Sequence, residues 1–140
     1  MKRILVGVDG SAISNAAATF AANLARAAGA ELELVCSIEP PMLYGADATG
    51  EVIVQQYEGA RMRANDALAE TTALPAMKGL TIRTRAAEGP AADALAEVAK
   101  GDFDLVVVGH RSRNALARVM LGSVADRLVQ ICPRPVLVYR

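Results

Sequence analysis

Residues 104–109 read DLVVVG, four consecutive apolar positions held between an aspartate and a glycine. A run this short and this uniformly apolar suits a strand buried on both faces, as in the interior of a parallel sheet. Reading backwards, Gly89-Pro90 opens a helix over 91–100 with Ala94, Leu95, Val98 and Ala99 on its core side. Proline fits there because the first helical turn has no use for its missing N–H. Reading forwards, a 12-residue connection leads to Gly122-Ser123 and a helix that carries Val124, Leu128 and Ile131 inward. Pro133 stops that helix, and residues 135–139 (PVLVY) form a last strand.

The N-terminal half repeats the alternation. Residues 3–9 (RILVGVD) form a first strand, followed by a helix over 11–28. Ile13, Ala17, Phe20, Ala21, Leu24 and Ala28 share one face of that helix, and Gly29 stops it. Glu31–Ile38 (ELELVCSI) is the second strand. Residues 39–50 hold Pro40, Pro41, Gly45 and Gly50 and form a loop long enough to act as a lid or an interaction surface. Alanines with Arg61, Arg63 and Glu70 make 52–72 helical, and 80–88 (LTIRTRAAE) alternates like a strand near a sheet edge. Five strands with intervening helices are βαβ units, and right-handed crossovers force a doubly wound parallel sheet. No internal repeat or low-complexity tract interrupts them.

Composition agrees with an α/β fold. At 140 residues the chain is expected to form one domain over 1–140, burying roughly 70% of the surface of the extended chain. A hydrophobic content of 53% excludes general disorder, and with 4% aromatics and no Trp the core must be aliphatic. Lys plus Arg and Asp plus Glu both number 15, so no overall field draws the chain to nucleic acid or to an anionic membrane. The basic cluster Arg111, Arg113 and Arg118 is local. No run approaches the ~20 apolar residues of a membrane helix. Met1-Lys2-Arg3 leads straight into a strand-like run, so no signal peptide is expected. Cys36 and Cys132 lack metal-ligand spacing and are expected as two buried thiols of a cytoplasmic protein.

Ligands of an open α/β sheet bind beyond the carboxyl ends of its strands, where the strand order reverses. That rim collects Val8, Asp9 and Gly10, then Ser37, Ile38 and Glu39, then Gly109 to Ser112, with Gly122-Ser123 facing it. A helix start offers unpartnered N–H groups to a phosphate, with Ser123 as a further donor; alternatively, serine there is simply an N-cap. Arg111 and Arg113 either neutralise phosphate charge or are solvated loop charges. Asp9 either accepts from a ribose hydroxyl or helps hold a metal ion, or it caps the following helix or braces the turn at Gly10-Ser11.

Gly109-His-Arg-Ser112, nine residues, then Gly122-Ser123 resembles the nucleotide signature of the universal stress protein family. That signature reads Gly, two residues, Gly, nine residues, Gly, then Ser or Thr. The run from Leu121 to Leu128, the ending Cys132-Pro-Arg-Pro-Val-Leu-Val, the opening from Lys2 to Ser11 and the segment Glu88-Gly89-Pro90 are also similar to the family's pattern. The resemblance spans essentially the whole chain. It implies a three-layer α/β/α sandwich, Rossmann-like and adenine nucleotide alpha hydrolase-like, with five parallel strands in the order 3-2-1-4-5. It also implies a homodimer through residues 135–139 and binding of ATP or another adenine nucleotide (AMP, ADP), with Mg2+ or Mn2+ accompanying the phosphates. Carried over by position, Asp9 meets the ribose, backbone at Val8 and Ser37 holds adenine, and Gly109, Arg111, Ser112, Gly122, Ser123, Val124 and Ala125 surround ribose and phosphates. Ser112 replaces the signature's second glycine. If that position requires positive φ, serine costs on the order of 1 kcal/mol, close to tenfold in affinity.

An enzyme reading has little to build on. His110 is the only histidine, no Ser-His-Asp or Cys-His set can be assembled, and no Gly-x4-Gly-Lys-Ser/Thr loop occurs. Slow ATP turnover stays open, since a bound triphosphate and metal need little beyond positioning. A response-regulator reading fails because the first strand ends in Asp9 alone and the third ends Glu88-Gly89. The rival to a nucleotide-binding stress-response protein is a nucleotide-free dimeric scaffold of the same fold.

Overall fold

The computed structural model describes residues 1–39, 49–110 and 121–140. Strand β1 (Arg3–Gly7), helix α1 (Ala12–Ala28), strand β2 (Glu31–Ile38) and helix α2 (Gly50–Thr72) come first. A 3-10 turn at Pro75–Met77 leads to strand β3 (Ile82–Glu88), helix α3 (Ala91–Val98), strand β4 (Leu105–Gly109), helix α4 (Ser123–Ile131) and strand β5 (Val136–Tyr139). The expected loop at 39–50 and the connection after His110 fall largely outside the described residues.

The sheet is parallel, in the order β3-β2-β1-β4-β5. Ile4 pairs with Leu32 on one side and Leu105 on the other, and Val6 with Leu34 and Val107. Right-handed crossovers then dictate the layers. The chain steps outward twice from β1, which puts α1 and α2 on one face. It then returns past β1 and steps the other way, which puts α3 and α4 on the opposite face. Ile4, Val6, Leu32 and Leu34 pack with α1 and α2, whereas Leu5, Val35, Val106 and Val108 pack with α3 and α4. Burying each of these aliphatic side chains stabilises the fold by about 1.5–3 kcal/mol. As the alternating pattern implied, β3 is an edge strand, with Arg83, Thr84 and Arg85 exposed.

Buried Glu33 on β2 joins three strands. It accepts from Arg3 Nη2 at 3.0 Å and from Arg85 Nε at 2.7 Å, and the Arg3 guanidinium lies 4.5 Å from the ring centre of Phe103. Two cations offset the desolvation of one carboxylate, which alone would be costly at 3% exposure.

Several expected details are corrected. The first strand closes at Gly7, although Val8 N–H still donates to Val35 O at 2.9 Å. The third strand begins at Ile82, and α3 ends at Val98. On α1 the buried stripe is Ser14, Ala17, Ala18, Ala21, Ala22 and Ala25, rotated from the expected face. Ala28 is exposed, and Phe20, 40% exposed, meets Tyr139 at the sheet margin with ring centroids 5.6 Å apart. The helix lies on the sheet through its smallest side chains, and its bulkier ones sit at the edges. On α4 the core side is Ala125 and Leu128, with Ile131 37% exposed and Val124 half-buried. This short helix sits toward the edge strand β5, so only its central stripe reaches the core. Cys36 is buried but Cys132 only half so, and both are free.

The corrected face of α4 has a measurable consequence. Leu128→Ala should cost about 2–5 kcal/mol in urea unfolding, and Ile131→Ala less than about 1 kcal/mol. Equal losses at the two positions would return Ile131 to the core.

Candidate functional site

β1 delivers the chain to the rim through a tight turn. Gly10 adopts φ 78°, a left-handed conformation that glycine takes without strain. Asp9 Oδ1 accepts from Ser11 N–H at 2.9 Å, so the turn-bracing reading of Asp9 is realised. Ser11 then caps α1, its Oγ accepting from Ser14 N–H at 3.2 Å. Asp9 N–H in turn donates to Ser14 Oγ at 3.3 Å, which locks the strand end to the helix start. Gly109 ends β4 against the same helix. A Cβ there would lie 3.2 Å from Ile13 Cγ1 and 3.3 Å from its carbonyl oxygen, tighter than most side chains tolerate.

Beyond these strand ends lies a cavity of about 550 Å3. Of the residues expected at the site, Val8, Asp9, Ser37, Gly109, Ser123 and Val124 line it together. Two others do not. Gly122 is buried behind the wall, with its N–H donating to His110 O at 2.6 Å, and the Ala125 methyl packs into the core at 1% exposure. Arg111 and Ser112, with Arg113 and Arg118, lie outside the described residues. His110 is half-buried and does not line the cavity. Its N–H donates to Tyr139 O at 2.7 Å, tying the exit of β4 to β5, and its Nδ1 is buried without a hydrogen-bond partner.

Besides α1, whose start is capped by Ser11, two helices begin at this rim, and they differ. Glu39 Oε1 accepts from Ala91 N–H at 3.4 Å, so a carboxylate already stands at the start of α3. At α4 the N-cap is Gly122, which makes no side-chain cap bond, and Ser123 is the first helical residue. Ser123 is therefore not the cap, and its exposed side chain lines the cavity instead. Unpartnered N–H groups with a glycine beside them form an anion seat, and the helix dipole favours negative charge there.

Helix α2 supplies a wall that spacing alone did not reveal. Ala60, Arg63 and Ala64 face the cavity, and Cys36, Glu39, Ala91 and Leu95 complete this part of the lining. The alanines one turn apart, flanking an arginine, were a visible sign of a close-packed helix face. They did not tell which strand end that face would meet. Burial, then the nearby charges of Asp9 and Glu39, pushes the Cys36 thiol up to about 11. It stays protonated at neutral pH and serves as an apolar wall element. The cavity thus has two carboxylates, Asp9 and Glu39, and one guanidinium among its described lining residues. No group of three or more metal-ligating side chains occurs among the described residues, and none of the described helices is long and apolar enough to cross a membrane.

Comparison with known proteins agrees with this architecture. The model of the universal stress protein family matches residues 1–140. A universal stress protein of Methanocaldococcus jannaschii is 32% identical over 142 residues, spanning 99% of this chain and 82% of the relative. Among solved structures, UspA from Lactobacillus plantarum superposes with a TM-score of 0.82 at 27% identity, covering 99% of this chain and 97% of that one. A universal stress protein solved in complex with cAMP superposes with a TM-score of 0.73 at 28% identity, again over 99% and 97% of the two chains. With a match along its entire length and the strand order 3-2-1-4-5, this chain belongs to the universal stress protein family.

Proposed function

We propose that this protein binds an adenine nucleotide and acts as a stress-response binding protein rather than a fast enzyme. The observation that carries the reading is the uncapped start of α4, opening on a 550 Å3 cavity at the point where the strand order reverses. That volume is within the ordinary range of ligand pockets, about 300–1,000 Å3. The relative solved with cAMP lends support from within the family. In this reading phosphate lies against the first N–H groups of α4 and Ser123, ribose beside Asp9, and adenine at Val8 and Ser37. Gly109 and Val124 border the middle of the ligand, with Gly122 and Ala125 behind them, and the family motif assigns Arg111 and Ser112 to the same site. ATP is the favoured ligand, with ADP or AMP as shorter forms, and Mg2+ or Mn2+ would arrive with the phosphates. Two free cysteines suit a reducing cytoplasm, where we place the protein as a single domain.

Thermal unfolding tests the reading. At a hundredfold excess over its dissociation constant, a ligand stabilises the fold by about 2.7 kcal/mol, raising Tm by roughly 5–10 °C. ATP with magnesium should produce such a shift. Ser123→Ala should weaken ATP about tenfold or more and leave adenosine nearly unchanged, because it removes a donor to a charged group. Absence of any shift at millimolar ATP would favour the nucleotide-free scaffold, and equal losses for both ligands would detach Ser123 from the phosphate.

We also propose that two copies pair through β5. Among the described strands this one is a sheet edge whose four residues are all half-buried, and helix α4 before it exposes Val129 and Ile131. Light scattering at micromolar concentration should give twice the chain mass of 14.6 kDa, and a monomer would refute the pairing.

A further inference from the structure

Purines are usually held between apolar or aromatic side chains, yet none of the described lining residues is aromatic. The chain carries only five aromatic rings, and four of them are engaged or lie elsewhere. Phe20 packs with Tyr139, Phe103 lies under Arg3, and Tyr57 donates to Glu88. The fifth, Tyr44, is outside the described residues. One lining residue does carry a flat group, and it is Arg63.

Its position separates it from the anion seat. Helix α2 packs on β2 and β3, so Arg63 stands with Ala60 and Ala64 on the side of Cys36 and Ser37. The start of α4 stands at the end of β4, with β1 between the two. Strands spaced about 4.8 Å apart put these ends about 10 Å from one another. A phosphate resting on α4 therefore leaves the base, not the phosphate, beside Arg63. The side chain is exposed and makes no ion pair or hydrogen bond with any described residue. Gly59, one turn earlier, leaves a bed for it. Arg63 Nη1 lies 3.4 Å from where a Cβ would sit, so the side chain runs back along the helix surface.

We infer that Arg63 is the stacking platform for the purine of the nucleotide proposed above, an assignment that rests on that reading. A guanidinium stacks on an aromatic face through its plane as well as its charge, which lysine cannot reproduce. Ala60 and Ala64 keep the wall low enough for a base to slide beneath it. Arg63 would thus select for a planar base and be indifferent to the number of phosphates.

The test compares wild type, Arg63→Lys and Arg63→Ala by calorimetric titration with adenosine and with ATP. Both replacements are good helix formers at an exposed helical position, so the variants should keep the wild-type Tm without ligand. Stacking predicts that each variant weakens adenosine and ATP by the same factor, about three- to thirtyfold. A loss confined to ATP, restored by lysine, would overturn the assignment and make Arg63 a phosphate ligand. Wild-type binding with both variants unchanged would overturn this inference alone. Wild type that binds neither ligand would overturn the nucleotide reading along with it.

Discussion

The parallel ladder β2-β1-β4 is the constraint from which the other features follow. β1 is hydrogen-bonded on both sides, and its neighbours are reached by crossovers that leave in opposite directions. Because both crossovers must be right-handed, their helices are sent to opposite faces of the sheet, and a crevice is left beyond the ends of β1 and its neighbours. The crevice at Val8 and Asp9 is thus a by-product of topology. The sequence need not spend special residues to create it; it needs only to keep large side chains out. Small residues at Gly7, Ala60, Ala64, Ala91 and Gly109 do that.

Electrostatics then gives the crevice a direction. Three described helices start on its rim, α1, α3 and α4, and their first N–H groups are equivalent in the abstract; Ser11 caps the first. Glu39 occupies the start of α3, and α4 is left with glycine at the cap and serine beside it. In the proposed reading an anion would meet a carboxylate at α3 and, among the described residues, uncapped donors at α4. Asp9 is held in place by the turn it braces, its backbone and carboxylate both tied to the start of α1. A neutral Cys36 thiol adds apolar wall without adding charge.

Much of this was legible in the chain itself. DLVVVG announced an interior strand, the alternation of runs announced the layers, and Gly122-Ser123 announced a helix start at the rim. What stayed hidden has physical causes. In α1 twelve of seventeen positions are alanine or another apolar residue, so periodicity gave the pitch but did not tell which stripe lies on the sheet. Ile131 looked as apolar as Leu128, and only the nearness of the sheet edge separates them. The part of α2 in the wall was invisible because a helix pattern says which residues share a face and nothing about which strand end that face meets. Asp9 was read as either a turn brace or a ligand contact; it does brace the turn, and it lines the cavity as well.

The central claim, that an adenine nucleotide lies across the ends of β2, β1 and β4 with its phosphate on α4, is tested most directly by backbone amide chemical shifts during an ATP titration. The account predicts that Val8, Asp9, Ser37, Gly109, Ser123 and Val124 move together along one saturating curve, with the Arg63 side-chain N–H following them. Shifts clustered instead on the groove between α2 and β3, around Asn65, Thr72 and Thr84, would contradict it.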